Sequence, residues 1–306
     1  MNNISAQMVK ELRDRTGAGM MECKKALIES EGSMDKAIET MRKAGQAKAD
    51  KKSSRIAAEG VVNLAMNNSF VNMIEINCET DFVGKTTEFQ GFVAEMAEHV
   101  ETNTPADVEA LLQQSWMFDA GQTVKEKMNS MVLSTGENVN VRRFVNFSGD
   151  YVAEYIHAGS RLGVILNASV DGIDTSNADF RSFVEDLTMH IAANSPEYVS
   201  DAEIPAEVIK KEQEIQVARA MEEGKPQNIA EKMVVGRINK WKKEISLLDQ
   251  IFDDDNKTTV AKELATKGSE FGGSITLESF VLYKLGEGMA KKVDNFAEEV
   301  AAMSQQ

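Results

Sequence analysis

The sequence predicts a multidomain α+β protein, and three observations carry that reading. Apolar residues recur at helical spacing over residues 1–45, alternate at strand spacing in several later segments, and one helical pattern occurs twice. At 306 residues the chain is long enough for two or three domains, each with its own core. Its 42% hydrophobic and 27% charged composition is that of an ordinary globular protein.

Residues 1–45 read as three short helices. Met8, Val9 and Leu12 form a stripe that stops at Thr16-Gly17. Met20, Cys23 and Leu27 mark a second helix to about Gly32. Ser33 caps a third, with Ala37, Ile38 and Met41 before Gly45. Met20 and Met21 lie about 100° apart on a helix, so at least one should face solvent, where methionine suits a partner surface. The tract Ala47-Lys48-Ala49-Asp50-Lys51-Lys52-Ser53-Ser54-Arg55 has no sustained apolar stripe and reads as a linker.

Next come strands at about 60–66 and 70–78, joined by Asn67-Asn68. In the second, Ile74, Ile76 and Cys78 alternate with Glu75 and Asn77, the period of a half-buried strand. It delivers Asp81 and Phe82 to a loop. A large ring beside a loop carboxylate is poor core material and good probe material; a core contact for Phe82 is the plain alternative. Thr87-Glu88-Phe89-Gln90 has the form of a capping box.

The stripe F-x-x-F-V-x-x-[ML]-x-x-H-[VI] then appears at Phe89–Val100 and again at Phe180–Ile191, each time after a strand pair. The second pair spans about 151–157 and 162–169, joined by His157-Ala158-Gly159-Ser160-Arg161, and a further strand runs from Val139 to Phe147. Two related α+β subdomains with small antiparallel sheets follow from this repeat. Because His99 and His190 occupy equivalent positions, they read as packing residues. His157, at a hairpin tip, reads as accessible.

Residues 205–243 form a helical hairpin with a turn at Gly224-Lys225-Pro226. Its stripes are Ile204, Val208, Ile215 and Ala218 on one arm, and Val234, Ile238, Trp241 and Ile245 on the other. It reads as a projecting coiled coil, or as a hairpin packed along the body. Asp253-Asp254-Asp255-Asn256 lacks the glycine and distal glutamate of a calcium loop and reads as a solvated turn. Phe271-Gly272-Gly273-Ser274 reads as a hinge, followed by a strand at 279–285 and a closing helix with Met289, Val293, Phe296 and Val300 on one face. The resulting division is 1–55, 56–145, 146–274 and 275–306.

The net charge of −15 argues against nucleic acid as the main ligand. Residues 1–55 nevertheless carry 12 Lys/Arg against 8 Asp/Glu, so a basic first module sits in an otherwise acidic chain. Such a module suits an acidic protein partner or is simply a solvated face. No segment reaches the roughly 18 apolar residues of a membrane span, and the first residues lack a secretory or transit pattern, so a cytoplasmic location is expected. Cys23 and Cys78 form neither a disulfide framework nor a zinc site. Phosphate-loop, dinucleotide, nucleophile-elbow and zinc-protease motifs are absent. Cys78 with His157 is the one conceivable nucleophile and base, but Cys78 falls on the inward phase of its strand. The residues therefore point to a non-enzymatic interaction protein without a cofactor or metal.

Two runs make the resemblance specific. That from Val9-Lys10-Glu11-Leu12 through Thr16-Gly17-Ala18-Gly19-Met20-Met21 to Ala26-Leu27 resembles the N-terminal signature of the bacterial elongation factor Ts family, and Asn77-Cys78-Glu79-Thr80-Asp81-Phe82-Val83 resembles its second signature. Gly136-Glu137-Asn138, Arg161-Leu162-Gly163, Ile229-Ala230-Glu231 and Gly286-Glu287-Gly288 extend the likeness in order along the chain. The resemblance implies a guanine-nucleotide exchange factor for elongation factor Tu, the GTPase that brings aminoacyl-tRNA to the ribosome. It also implies an N-terminal ubiquitin-associated-like bundle, a two-subdomain core, a coiled-coil hairpin and a C-terminal helical module. Carried over by position, Asp81 and Phe82, flanked by Thr80 and Val83, enter Tu's nucleotide domain, with Phe82 wedging between helices near the magnesium site. Arg13, Met20, Met21 and Lys24 contact that domain from the bundle, His157 serves the core contact and Met303 the C-terminal one. Glu79 departs from the glutamine familiar in related sequences, and Asp253 stands where an apolar contact is expected. The alternative is an adaptor that recruits partners through its bundle and coiled coil without exchange activity.

Overall fold

Ser5 starts the first helix by accepting a hydrogen bond from Met8 N at 3.2 Å, and Gly17, at φ 67°, ends α1 (Ala6–Thr16) in the left-handed region. The computed structural model describes residues 4–66, 70–157, 159–253 and 257–290. It divides into two compact units: Met1–Asn146 with Ala158–Leu162 and Tyr283–Gln306, and Phe147–His157 with Gly163–Leu282.

In the first unit, α1, α2 (Met20–Glu29) and α3 (Met34–Lys52) bury Val9, Leu12, Cys23, Ala26, Leu27, Ala37 and Met41. Met20 departs from its expected stripe: it is 44% exposed, and the inward face of α2 is Cys23, Ala26 and Leu27. Of the linker expected at residues 47–55, residues 47–52 are instead the end of α3 and only 53–55 leave the helix. A Cβ at Gly45 would lie 3.2 Å from the carbonyl oxygen of Asn129, in the helix Val124–Thr135, so this glycine admits a neighbouring backbone and is not a cap. Leu133 of that same helix joins the bundle core.

Strands β1 (Glu59–Met66) and β2 (Val71–Cys78) pair antiparallel, with Val61 opposite Ile76; their expected turn, Asn67-Asn68, lies outside the described residues. After β2 come α4 (Asp81–Gly84), α5 (Thr87–Asn103), α6 (Val108–Gln113), α7 (Val124–Thr135) and β3 (Asn140–Phe147), and the sheet order is β1-β2-β3. Ile74, Ile76, Phe89, Phe92, Met96, Trp116 and Val132 lie in its core. The expectation of a half-buried β2 does not hold, because all eight residues are buried. As the central strand, β2 has a second face covered by polar partners: Glu75 is fully buried against Arg142 and Arg143 of β3. The expected capping box does not form, and the cap itself lies one residue earlier. Thr86 caps α5 by accepting from Phe89 N, while Gln90 reaches back to the Gly84 carbonyl at 2.5 Å.

The second unit runs β4 (Tyr151–His157), β5 (Leu162–Asp171), α8 (Ala178–Asn194), α9 (Ala206–Glu222), α10 (Gln227–Ile245), β6 (Ile251–Asp253), β7 (Thr258–Thr259), α11 (Val260–Glu270) and β8 (Ser274–Lys284), with sheet order β4-β5-β8. Strand β8 starts before the expected 279 and belongs to this sheet. The hinge at Phe271–Ser274 is a packed corner: a Cβ at Gly273 would lie 1.9 Å from the Asp171 carbonyl oxygen. In the hairpin, Ala230, Val234 and Ile238 are buried on α10 as expected. On α9, however, Ile215 and Ala218 face solvent and Ala220 is the buried residue. Gln216 Nε2 donates to Glu212 Oε1 at 2.7 Å, so the inner part of that arm is partly polar.

The internal repeat extends well beyond the helical stripe. Helices α5 and α8 both contain 17 residues and both end on a left-handed non-glycine residue, Thr104 and Ser195. His99 and His190 each meet a glutamine, Gln114 and Gln250, at 2.9 Å, and each has an asparagine four residues on that donates to its carbonyl oxygen. Trp116 and Phe252 lie against the two imidazoles. Gln114 and Gln250 accept from the first residue of the next helix, Val124 and Val260, both at 3.0 Å. Thr123 and Thr259 cap those helices, and the third strand of each sheet follows.

The copies differ in the passage to that glutamine: the first uses the six-residue α6, the second the α9–α10 hairpin. The hairpin is thus an insertion into a repeated unit. Its ends are tied together, because Glu197 N and Tyr198 N donate to the Ile245 carbonyl and Leu247 N to that of Tyr198. Replacing residues 209–240 with a short Gly/Ser link, which keeps Trp241, Glu244 and Ile245 and so the bonds that tie the ends, is expected to leave the thermal midpoint close to that of the intact protein and the near-ultraviolet circular dichroism of the core unchanged.

Candidate functional site

Strand β2 ends at Cys78, and one helical turn, α4, follows it at once. Thr80 caps that turn by accepting from Val83 N at 3.4 Å. Thr80 Oγ1 also donates to Glu137 Oε1 at 2.6 Å, and the other carboxylate oxygen of Glu137 accepts from Glu79 N and Thr80 N, both at 3.0 Å. In return, Glu79 Oε1 accepts from Asn138 N at 2.7 Å. Below the turn, Cys78 Sγ donates to the Thr80 carbonyl and Val83 packs on the core. Gly84 is buried beside Gly60. A Cβ at Gly60 would lie 2.1 Å from the Ile76 carbonyl oxygen, so only glycine fits at that position.

Phe82 stands on this tied base 81% exposed, the most exposed of the large hydrophobic side chains among the described residues. The reading of Phe82 as a core residue is therefore excluded. Beside it, Asp81 pairs with Lys85 Nζ at 2.5 Å. That bond, helped by the nearby charge of Arg161, holds the Asp81 carboxyl below its ordinary range. Arg161 itself pairs with Glu59 at 2.8 Å.

The remaining expected residues fall into three groups. Arg13, Met20, Met21 and Lys24 are exposed on α1 and α2, with Met21 75% exposed. His157 ends β4 in the second unit, exposed, with Nδ1 2.6 Å from the Tyr155 hydroxyl. Met303 lies outside the described residues, as do 254–256 and the closing helix beyond residue 290. Sequence reasoning passed over Glu137, Lys85 and Arg161 as parts of this site. Only Thr80, Asp81 and Lys85 signal it locally, through cap and i,i+4 spacing.

Cys78 is no nucleophile. Burial, reinforced by the negative charge of Glu137, pushes its thiol up to about 12. Burial also raises Cys23. A thiol reagent at pH 8 should therefore find no fast-reacting cysteine in the folded protein and both cysteines after denaturation; rapid native labelling at Cys78 would contradict this packing. Among the described residues no group of side chains is arranged to hold a metal ion, and no helix is long and apolar enough to cross a membrane.

Comparison with known proteins identifies what this arrangement belongs to. A family model described as Elongation factor TS matches residues 79–287, a span that starts at the turn presenting Phe82 and ends beside the Gly286 contact with Glu75. Three proteins named Elongation factor Ts match nearly end to end. The one from Trichlorobacter lovleyi is 43% identical over 98% of both chains. That from Clostridium perfringens is 45% identical over 98% of this chain and 99% of its own, and that from Thioalkalivibrio sulfidiphilus is 47% identical over 98% of both. With likeness of this extent, covering the bundle, both repeats and the hairpin, the chain belongs to the elongation factor Ts family.

Proposed function

We propose that this protein is a guanine-nucleotide exchange factor of translation elongation, which binds elongation factor Tu, promotes release of GDP and so permits loading of GTP. The observation that carries the reading is Phe82: a large apolar side chain, 81% exposed, on a turn whose backbone is held from several sides. Flexible exposed aromatics are unremarkable, whereas a firmly mounted one suits insertion into a partner. In this reading Asp81 and Phe82, flanked by Thr80 and Val83, enter Tu's nucleotide domain near the magnesium and phosphate site. Arg13, Met20, Met21 and Lys24 hold that domain from a ubiquitin-associated-like bundle, His157 makes a further contact from the second unit, and Met303 makes one from a C-terminal helical module.

Linkage sets the demand. A factor that prefers nucleotide-free Tu weakens nucleotide binding by the same free energy. Weakening by three orders of magnitude needs about 4 kcal/mol of differential binding. One buried Phe supplies roughly 1.5–3 kcal/mol. The mechanism is therefore distributed: Asp81 and Phe82 displace the elements that hold magnesium and phosphate, while the bundle and C-terminal contacts keep the complex together. The protein's role is to shift a binding equilibrium in the cytoplasm, with no chemical step, no cofactor, no membrane and no direct nucleic-acid contact. We assign 1–55 to the bundle and its exit, 56–145 and 146–274 to the two core subdomains, with the coiled coil at 205–243 inside the second, and 275–306 to the C-terminal module, whose first strand, β8, joins the second sheet.

The test is release of fluorescent GDP from elongation factor Tu against excess unlabelled GDP. Acceleration at substoichiometric amounts of this protein is the expected result. Intrinsic-rate release despite complex formation would replace this reading with the adaptor.

A further inference from the structure

We propose that Glu137 is a positioning residue for nucleotide exchange, acting through the attitude of Phe82; this rests on the role given to Phe82 above. Glu79 N and Thr80 N precede α4, so neither has a partner within that single turn, and both point to Glu137 Oε2 at 3.0 Å. The Thr80 hydroxyl donates to Glu137 Oε1 at 2.6 Å while it accepts from Val83 N. One carboxylate thus takes three donors from the two residues immediately before Asp81 and Phe82. Bonds from neutral donors to an ionised acceptor are the stronger kind. Any movement of Glu137 must therefore be carried into the base of the turn.

Glu137 is itself fixed. It follows Gly136, whose left-handed conformation ends α7, and Glu137 N donates to Thr135 Oγ1. The next residue, Asn138, returns the clamp by donating from its backbone to Glu79 Oε1 at 2.7 Å, and its side chain donates to the Arg55 carbonyl at 2.9 Å. Arg55 in turn faces the Glu79 carboxylate at 3.4 Å. Residues 53–55, which leave the helical bundle, are thereby joined to the same clamp that aims Phe82. The arrangement lets the bundle's grip on a partner and the insertion of the ring act as one rigid element.

The experiment measures fluorescent GDP release from elongation factor Tu over a range of concentrations of the full-length protein, giving a maximal rate and a half-saturating concentration. Glu137→Ala is expected to lower the maximal rate roughly tenfold to hundredfold, the scale of a misplaced reactive group, with a much smaller change in half-saturation. Glu137→Gln, which still accepts both backbone bonds while the Thr80 hydroxyl turns to accept from its amide, should restore most of the rate. In a Phe82→Ala background, Glu137→Ala should add little further loss. A Glu137→Ala protein that exchanges normally, or that loses as much in the Phe82→Ala background as alone, overturns the inference. If Glu137→Ala fails to fold, as circular dichroism would show, Glu137→Asp serves instead. It keeps the charge but is too short to span all three donors, and the same two outcomes decide. Full exchange by Phe82→Ala alone would overturn the reading of Phe82 and this inference with it. Slow exchange by Phe82→Ala with normal exchange by Glu137→Ala would overturn the inference alone.

Discussion

Replacing Phe82 by alanine is expected to slow stimulated GDP release about ten- to hundredfold while leaving the thermal midpoint of the free protein almost unchanged. The two halves have the same cause. In the free protein the ring is 81% exposed, so its removal opens no cavity and disturbs little packing, and surface substitutions of that kind stay within about 0.5 kcal/mol. In the complex the ring would be buried, and its loss forfeits about 1.5–3 kcal/mol, which at 1.4 kcal/mol per decade gives the stated range. Because exchange depends on differential binding, the loss should fall more heavily on the rate of release from the GDP-bound complex than on affinity for nucleotide-free Tu. Equal losses in both would show that Phe82 is an ordinary adhesive contact. Phe82→Leu, which keeps apolar volume without the ring, should fall between the two.

The largest stability effect is expected at Glu75→Ala. Glu75 is completely buried, accepting from Arg142 at 2.9 Å, Arg143 at 2.7 Å, Gly286 N at 2.8 Å and Asn77 at 3.2 Å. Removing one member of a buried charge cluster costs about 3–5 kcal/mol. The two arginine side chains are 24% and 29% exposed, so water recovers part of their solvation and the lower end applies. About 3 kcal/mol corresponds to a fall of roughly 6–12 °C in the transition of a unit of this size.

The acid dependence follows from the same contacts. Burial pushes the Glu75 carboxyl up, but the Gly286 N–H and the guanidinium groups of Arg142 and Arg143 outweigh it and hold the group below its ordinary value. The folded protein therefore releases this proton more readily than the unfolded chain. Its contribution is complete above the ordinary carboxylate value of about 4.3 and is lost as pH falls below that through the folded value. Urea titrations of wild type and Glu75→Gln should differ most at neutral pH and converge in acid. A gap that widened on acidification would contradict this sign.

What could be read from the sequence was whatever local spacing encodes. The F-x-x-F-V stripe reveals the repeat because a helix must place those residues on one face, and β2 is visible by its alternation. Long-range partners were not. Gly45 looked like a helix end because its neighbour, Asn129, is distant in sequence. Glu75 looked like the solvent side of a strand because the arginines that bury it lie on β3. Ile215 and Ala218 were assigned inward because apolar spacing alone does not register the polar Glu212–Gln216 pair on that arm. At the candidate site, Phe82 beside a loop carboxylate reads as a probe or as a core contact, and Glu137 reads as one acid among many. Its meaning comes from two amides and a hydroxyl in another segment.

The bond from Gly286 to Glu75 spans 211 positions and ties the segment after β8 to the central strand of the first sheet. A ribosome adds about 5–20 residues per second, so roughly 10–40 s separate the making of Glu75 from the making of its last donor. During that interval most of the second unit is made, while the first still holds a carboxylate with an unfinished set of partners. Being synthesised first therefore does not make a unit finished first, and premature termination before Gly286 withholds a contact from the strand that leads into Phe82.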